Sequence, residues 1–248
     1  MTYFKGYEKS GFARRLRNSI KNKRFFRSII DFINFDIVVP YIKYYLIKVC
    51  YILNPGYIVN NKTYNYKLVR HKSTDNERVI EIPYVYSFIK NTKIKKLLEI
   101  GNTLSNYFDL EHVIIDKYET ANNIINIDIV EYVTKNKYDL IISVSTIEHI
   151  GYDEPKKEYG KALKALQKLI GLLNKNGKLV ITVPLNYNPE INSIIVEKKI
   201  KFSEIHFMKR ISWFNTWKET TQADALKCAY GGKYSAANAI AFLVYTKT

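Results

Sequence analysis

From Lys93 onward the chain alternates short apolar runs with polar or amphipathic stretches. Lys96-Leu-Leu-Glu-Ile-Gly101, His112-Val-Ile-Ile-Asp116, Ile124-Ile-Asn-Ile-Asp128, Tyr138-Asp-Leu-Ile-Ile-Ser-Val144 and Lys178-Leu-Val-Ile-Thr-Val183 each read as a buried strand. Strands covered on both faces lose the apolar/polar alternation and become short continuous apolar runs. Between the fourth and fifth runs, Tyr159, Ala162, Leu163, Leu166, Leu169, Ile170 and Leu173 recur at spacings of three and four, which predicts a helix ended by Asn176-Gly177. Glu204–Met208 and Ala239–Tyr245 predict two late strands without a clear crossover helix, which can pair antiparallel. The pattern predicts an α/β domain, doubly wound around a mainly parallel sheet with an antiparallel C-terminal strand.

The first part of the chain reads differently. Phe12, Leu16, Ile20, Phe26, Ile30 and Ile33 fall on one helical face, with Arg14, Arg17, Lys21 and Arg24 opposite. Pro40 interrupts this pattern, and an apolar, tyrosine-rich segment follows from Tyr41 to Leu53. A polar loop is expected from there to about Glu77. The chain therefore divides into a basic, mainly helical extension over residues 1–76 and a sheet domain over residues 77–248.

Charge and composition sharpen this division. The chain has 248 residues, 39 Lys and Arg against 23 Asp and Glu, and a net charge of +16. Nearly all of the excess lies in residues 1–98, so the sheet domain itself has little reason to grip nucleic acid. Only eight of the basic residues are arginine, the residue that bidentate phosphate recognition favours. A basic amphipathic helix can lie on an anionic membrane, so residues 12–54 are candidates for peripheral contact at the inner membrane face. A cap packed on the main domain is the plainer reading. Ile37–Leu53 holds Pro40, Lys43 and Lys48, and is too short and too charged for a membrane span. The start of the chain, MTYFKGYEKS, lacks the apolar core of a secretory signal, and two cysteines make neither a disulfide scaffold nor a zinc site. A cytoplasmic setting is expected.

In sheets of this kind ligands sit beyond the carboxyl ends of the strands, near the switch in strand order. Glu99, Gly101 and the loop Asn102-Thr103-Leu104-Ser105 stand there, with Asp116, Asp128 and Ser143-Val-Ser-Thr-Ile-Glu-His149. The loop after the first strand has one glycine, which argues against a dinucleotide pyrophosphate, and no phosphate-cradling GxxxxGK[ST] motif occurs. A phosphate-free nucleoside ligand tolerates small polar residues in this place.

Lys96–Ser105 resembles the first motif of class I S-adenosylmethionine-dependent methyltransferases. Tyr138–Ser143 with Ile147-Glu148-His149 is similar to the fourth-strand motif of that family's small-molecule, type 11-like branch, and Leu172–Pro184 to the segment leading into its fifth strand. The resemblance covers residues 77–248 and implies a Rossmann-like, seven-stranded sheet with S-adenosylmethionine as cofactor. By position, Glu99, Gly101, Asn102, Thr103 and Ser105 would flank the amino-acid tail. Asp116, with Lys117 after it, would hold the ribose, Asp128 and Ile129 would meet the adenine, and Ser143 and Ser145 would line the methyl-donor end. Thr103 and Ser105 replace usual glycines, a departure that crowds the loop.

The reaction implied is methyl transfer to a nucleophile, with O-methylation of a small molecule, sugar or surface-glycan precursor of polysaccharide biosynthesis expected. His149 is the candidate general base, Glu148 a lesser one, and Asp153 resembles Glu148 in this. His71, His112 and His206 read as structural or surface groups, and Trp213 and Trp217, four apart, as core. The motifs of enzymes that methylate amino groups or carbon 5 of DNA bases are absent, and no His/Asp set has metal-ligand spacing. Two further readings stand beside this one: an RNA methyltransferase using the basic N-terminal region, and a non-catalytic binding module on the same fold.

Overall fold

The computed structural model of the chain describes residues 38–69, 72–91 and 94–248. The helix expected over residues 12–33 lies outside them. Two compact units are present, one ending at Leu53 and the other spanning Asn54–Thr248.

Of the first unit, helix α1 (Val39–Leu53) is described. Pro40 sits in its first turn, where a missing N–H costs nothing. Ile47 and Tyr51, one turn apart, are buried, whereas Ile42, Leu46, Val49 and Leu53 form a row more than half exposed. Among the described residues no helix is long and apolar enough to cross a membrane.

The second unit opens with a hairpin in place of the expected polar loop, β1 (Gly56–Val59) and β2 (Lys62–Asn65). Asn60 and Asn61 both take positive φ, 49° and 59°, the geometry a two-residue primed hairpin turn requires. The hairpin belongs with the sheet: Asn60 N–H donates to Glu219, and Trp217 N–H donates to the Tyr66 hydroxyl at 3.0 Å. The contact boundary thus falls at Leu53/Asn54 rather than after residue 76.

Helix α2 (Arg78–Asn91) has no strong amphipathic period and carries Pro83 inside it. Pro83 cannot donate to the Val79 carbonyl, and Lys67 N–H takes that acceptor at 3.0 Å. The strands follow: β3 (Leu97–Ile100), β4 (Val113–Ile115), β5 (Ile124–Ile125) and β6 (Tyr138–Val144). Helix α3 (Lys161–Leu172) runs directly into β7 (Leu173–Pro184), which leads to α4 (Pro189–Val196). The chain ends with β8 (Glu204–Arg210), β9 (Trp217–Thr220), α5 (Gln222–Leu226) and β10 (Ala239–Thr246).

Strands β3–β10 form one sheet in the order β5-β4-β3-β6-β7-β10-β8-β9. The five strands from β5 to β7 are parallel, and β10 pairs antiparallel with both β7 and β8. The sheet has eight strands where seven were expected, because Trp217–Thr220 adds an antiparallel edge to β8. Trp217 is buried there, but Trp213 is exposed and is not core. The crossovers between β3 and β6 are turns and a 3-10 segment rather than helices.

Alternation along the strands sorts the two faces. Leu179, Ile181 and Val183 of β7 and Ala239, Ala241 and Leu243 of β10 join Ala162, Leu166 and Leu169 of α3 in the main core. On the other face, Tyr84 of α2 stacks on Phe242 with ring centroids 4.2 Å apart. Helix α2 therefore covers the face opposite α3, and its first turn reaches the carboxyl ends of β6 and β7.

Candidate active site

The strand order reverses between β3 and β6, so the loops after β3, β4, β5, β6 and β7 open on one edge of the sheet. Glu99 is fully buried at the end of β3. Its Oε1 accepts the N–H groups of Thr103 and Leu104, both at 2.8 Å, and its Oε2 meets His112 Nε2 at 2.7 Å. His112 Nδ1 faces the Leu110 carbonyl at 2.9 Å. Both ring nitrogens face acceptors, so both must donate, and His112 is held as an imidazolium. Burial opposes that charge, but the bond to Glu99 and its charge outweigh burial and raise the His112 pKa. Glu99 thus shapes the loop, with both oxygens engaged by the protein.

Gly101 takes φ +82°, and a Cβ there would lie 2.3 Å from Thr146 Oγ1. Only glycine lets the loops after β3 and β6 come this close. Asn102 donates to Glu119 at 2.9 Å and accepts from Ser105, while Thr103 Oγ1 lies 3.4 Å from the Val144 carbonyl. The side chains that replace the usual glycines therefore bond within the protein.

At the end of β4, Asp116 Oδ1 accepts the N–H groups of Tyr118 and Glu119, each at 2.8 Å. Its second oxygen makes no hydrogen bond among the described residues. Asp128 is occupied otherwise. Its Oδ2 lies 3.1 Å from Lys117 Nζ and 2.9 Å from Lys161 Nζ, and both ammonium groups also reach Glu154. Burial disfavours the Asp128 charge, but Lys161, the Val130 N–H and Lys117 more than compensate and hold its pKa low. Asp128 and Lys117 are partners of each other, and Ile129 is a buried core residue. In this arrangement neither the Asp128 carboxylate nor the Ile129 side chain stands free for an adenine.

After β6 the chain is strained. Ser145 has φ +40°, an unfavourable value for a residue with a Cβ. It is held by its N–H on the Thr182 carbonyl at 2.9 Å and its hydroxyl on Glu81 Oε1 at 2.5 Å. Thr182 donates to the same oxygen at 2.6 Å, and Arg78 binds Glu81 Oε2 at 2.7 Å. Ser143 is fully buried, and its Oγ has no partner.

His149, on the 3-10 turn Ile147–His149, is about half exposed. Its Nδ1 lies 2.6 Å from Asp153 Oδ2, which also accepts from the Tyr187 hydroxyl at 2.6 Å. The carboxylate must accept from the ring, so Nδ1 carries the proton and Nε2 presents a lone pair. Burial and the bond to Asp153 keep the Tyr187 hydroxyl protonated by raising its pKa. Glu148 is fully buried, and neither carboxylate oxygen has a hydrogen-bond partner; His149 Nε2 lies 3.7 Å from Oε1. Burial pushes the Glu148 pKa far up, reinforced by Glu81 and Glu77.

The structure thus brings Glu148, His149, Asp153 and Ser145 to one place and adds residues the sequence reading did not single out: Arg78, Glu81, Tyr187 and Tyr230. Glu77, just before α2, adds a further acid; it and Glu81 are two of only six acids in the first 98 residues, and no local pattern placed them at the site. Among the described residues no group of three His, Cys, Asp or Glu side chains has metal-site geometry.

No family model and no curated protein matches the chain. Among solved structures it is similar to the N-methyltransferase NodS from Bradyrhizobium japonicum WM9 in complex with S-adenosyl-L-homocysteine. Identity there is 13%, over 72% of this chain and 91% of that one, with a TM-score of 0.44. TehB from Haemophilus influenzae matches at 12% identity over 68% and 63% of the two chains, with a TM-score of 0.41. A possible histamine N-methyltransferase from Thermotoga maritima matches at 13% identity over 69% and 90%, with a TM-score of 0.40. Likeness at this level does not decide what the chain binds or does.

Proposed function

We propose that the chain is an S-adenosylmethionine-dependent methyltransferase acting on a small-molecule nucleophile. The observation that carries this is the His149–Asp153 pair at the carboxyl edge of a sheet whose first loop suits a phosphate-free nucleoside. The residues fit the cofactor. Asp116 keeps an open carboxylate oxygen for the ribose hydroxyls, Gly101 lets two loops meet closely, and Ser143 keeps an unused buried hydroxyl at the end of β6. When bound, the cofactor supplies a methyl group on a sulfonium: the C–S bond breaks, sulfur keeps the electron pair, and the nucleophile's lone pair forms the new bond.

The protein's part is to hold the acceptor in line and to remove a proton. Asp153 fixes the tautomer of His149, so Nε2 takes a proton from the acceptor hydroxyl or amine, and the resulting imidazolium lies against the Asp153 carboxylate. Asp153→Asn and His149→Ala would lower the transfer rate while leaving S-adenosylhomocysteine binding intact. An unchanged rate would remove the pair from the mechanism.

A membrane-borne or glycan acceptor is a further part of this reading. One observation favours the membrane: the exposed apolar row of α1 carries Lys43 and Lys48 and lies in a stretch, residues 37–74, without a single acid. Vesicles of 30% anionic phosphatidylglycerol should sediment the protein and neutral phosphatidylcholine vesicles should not. Equal recovery from both would count against it.

A further inference from the structure

The mechanism leaves one group unused. Glu148 is fully buried, and neither oxygen has a hydrogen-bond partner. A buried polar group without a hydrogen bond is costly, and a buried charge without a partner more so. Helix α2 brings two further carboxylates within electrostatic reach, Glu77 and Glu81, against a single cation, Arg78. Arg78 is committed to Glu81 at 2.7 Å, Ser145 and Thr182 also donate to Glu81, and Glu77 accepts a long 3.4 Å bond from the Ala237 N–H. The guanidinium is therefore taken up by Glu81 and not by Glu148.

Aromatic rings lie beside this excess of acid. Tyr187 packs edge-on against His149 at 5.0 Å and against Tyr230 at 4.9 Å. The charge of Glu148 is felt at both tyrosine hydroxyls. Tyr230 is partly exposed, so this cluster of rings reaches the surface. A buried carboxylate without a hydrogen-bond partner, backed by aromatic faces, suits a positively charged group with several donors. A neutral hydroxyl would satisfy one lone pair and none of the charge.

We propose that Glu148, with Tyr187 and Tyr230, forms a receptor for an alkylammonium group, so that the methyl acceptor is an amine rather than the hydroxyl expected from sequence. This rests on the methyl-transfer reading above. An ammonium cannot act as a nucleophile until it loses a proton. Glu148, protonated in the empty site, releases its proton to solvent through half-exposed His149 Nε2, 3.7 Å from its Oε1, as the ammonium enters. The ionised carboxylate then pairs with the ammonium and takes one of its protons, leaving a neutral amine with its lone pair and a neutral carboxylic acid.

The test is calorimetric and needs no turnover. The protein saturated with S-adenosylhomocysteine is titrated with two probes of like size, n-butylammonium and n-butanol, so that their difference reports the ammonium charge outside the cofactor. In the wild type, n-butylammonium should bind about tenfold or more tightly than n-butanol. In Glu148→Gln that preference should fall below about threefold, with S-adenosylhomocysteine affinity unchanged. Tyr230→Leu, at a partly exposed position that folding tolerates, should reduce the preference about two- to fivefold. Equal affinity of the two probes for the wild type, or a preference untouched by both substitutions, would overturn the proposal. Failure of S-adenosylhomocysteine to bind at all would instead overturn the methyl-transfer reading beneath it.

Discussion

Asp128 and Glu148 are both buried carboxylates near the carboxyl edge of the sheet, and they are treated in opposite ways. Asp128 has two ammonium partners and a backbone N–H. Glu148 has no hydrogen-bond partner. The first arrangement is complete without a ligand: each charge in the Lys117–Asp128–Lys161–Glu154 set is matched by another. The second is incomplete, and its incompleteness lies beside an imidazole, His149, whose Nδ1 is held by a carboxylate. Glu148 lies deeper, at 0% exposure against 8% for Asp128, yet it is the shallower acid that carries the partners, so pairing separates a structural acid from one kept for a ligand.

The largest effect expected on this comparison is on rate. Replacing His149 by Ala, or Asp153 by Asn, should slow methyl transfer about 10²- to 10³-fold without changing S-adenosylhomocysteine affinity in calorimetry. A rate within twofold of the wild type would mean that the pair is a surface contact only.

Gly101→Ala comes next. The new methyl would meet Thr146 Oγ1 at 2.3 Å from a φ of +82°, so the loops after β3 and β6 must separate. A loss of about 3 kcal/mol in denaturant unfolding is expected, from positive-φ strain and overpacking together. A variant of wild-type stability would show that the two loops are not held at this distance.

Asp128→Asn should cost about 1–3 kcal/mol at neutral pH by removing the acceptor of two charged hydrogen bonds. The pH dependence has a definite sign. The folded-state pKa of Asp128 is depressed, so its contribution is present above the unfolded value of about 3.9 and is lost as pH falls through the lower folded value. Wild type and variant should converge in strongly acid solution and separate again towards pH 6. Thermal melts that stay parallel from pH 2 to 7 would contradict the pairing.

The most diagnostic effect is at Glu148. Its folded-state pKa is raised, so the folded state holds a proton that the unfolded chain releases. That costs stability progressively as pH rises from the unfolded value of about 4.3 towards the folded one. Glu148→Gln should melt with the wild type near pH 4 and above it at pH 8. A variant that is less stable at pH 8 would mean that Glu148 has a partner after all.

Most of the sheet was legible in the sequence because its strands are buried on both faces. Tyr138–Val144 and Ala239–Thr246 stand out as apolar runs for that reason. The β1–β2 hairpin was not legible: it is short, and Tyr64 and Tyr66 look polar until their rings pack beside Tyr57. Helix α2 was hidden by Pro83 and by burial around most of its circumference, which erases the helical period. Strand β9 was read only as a pair of tryptophans. In the site, His149 and Glu148 were visible from their place after β6, as was Asp153. The acids on α2 were not, because only the packing of that helix over β6 and β7 brings Glu77 and Glu81 towards Glu148. Asp128 was visible as an acid after a strand, but its lysine partners come from β4's loop and α3, at a distance no local pattern reports.

The measurement that tests the central claim most directly is a calorimetric titration of the wild type and Asp116→Ala with S-adenosylhomocysteine. The account predicts one saturable site per chain, with affinity reduced about tenfold or more when the open carboxylate oxygen of Asp116 is removed. No detectable binding to the wild type would contradict it.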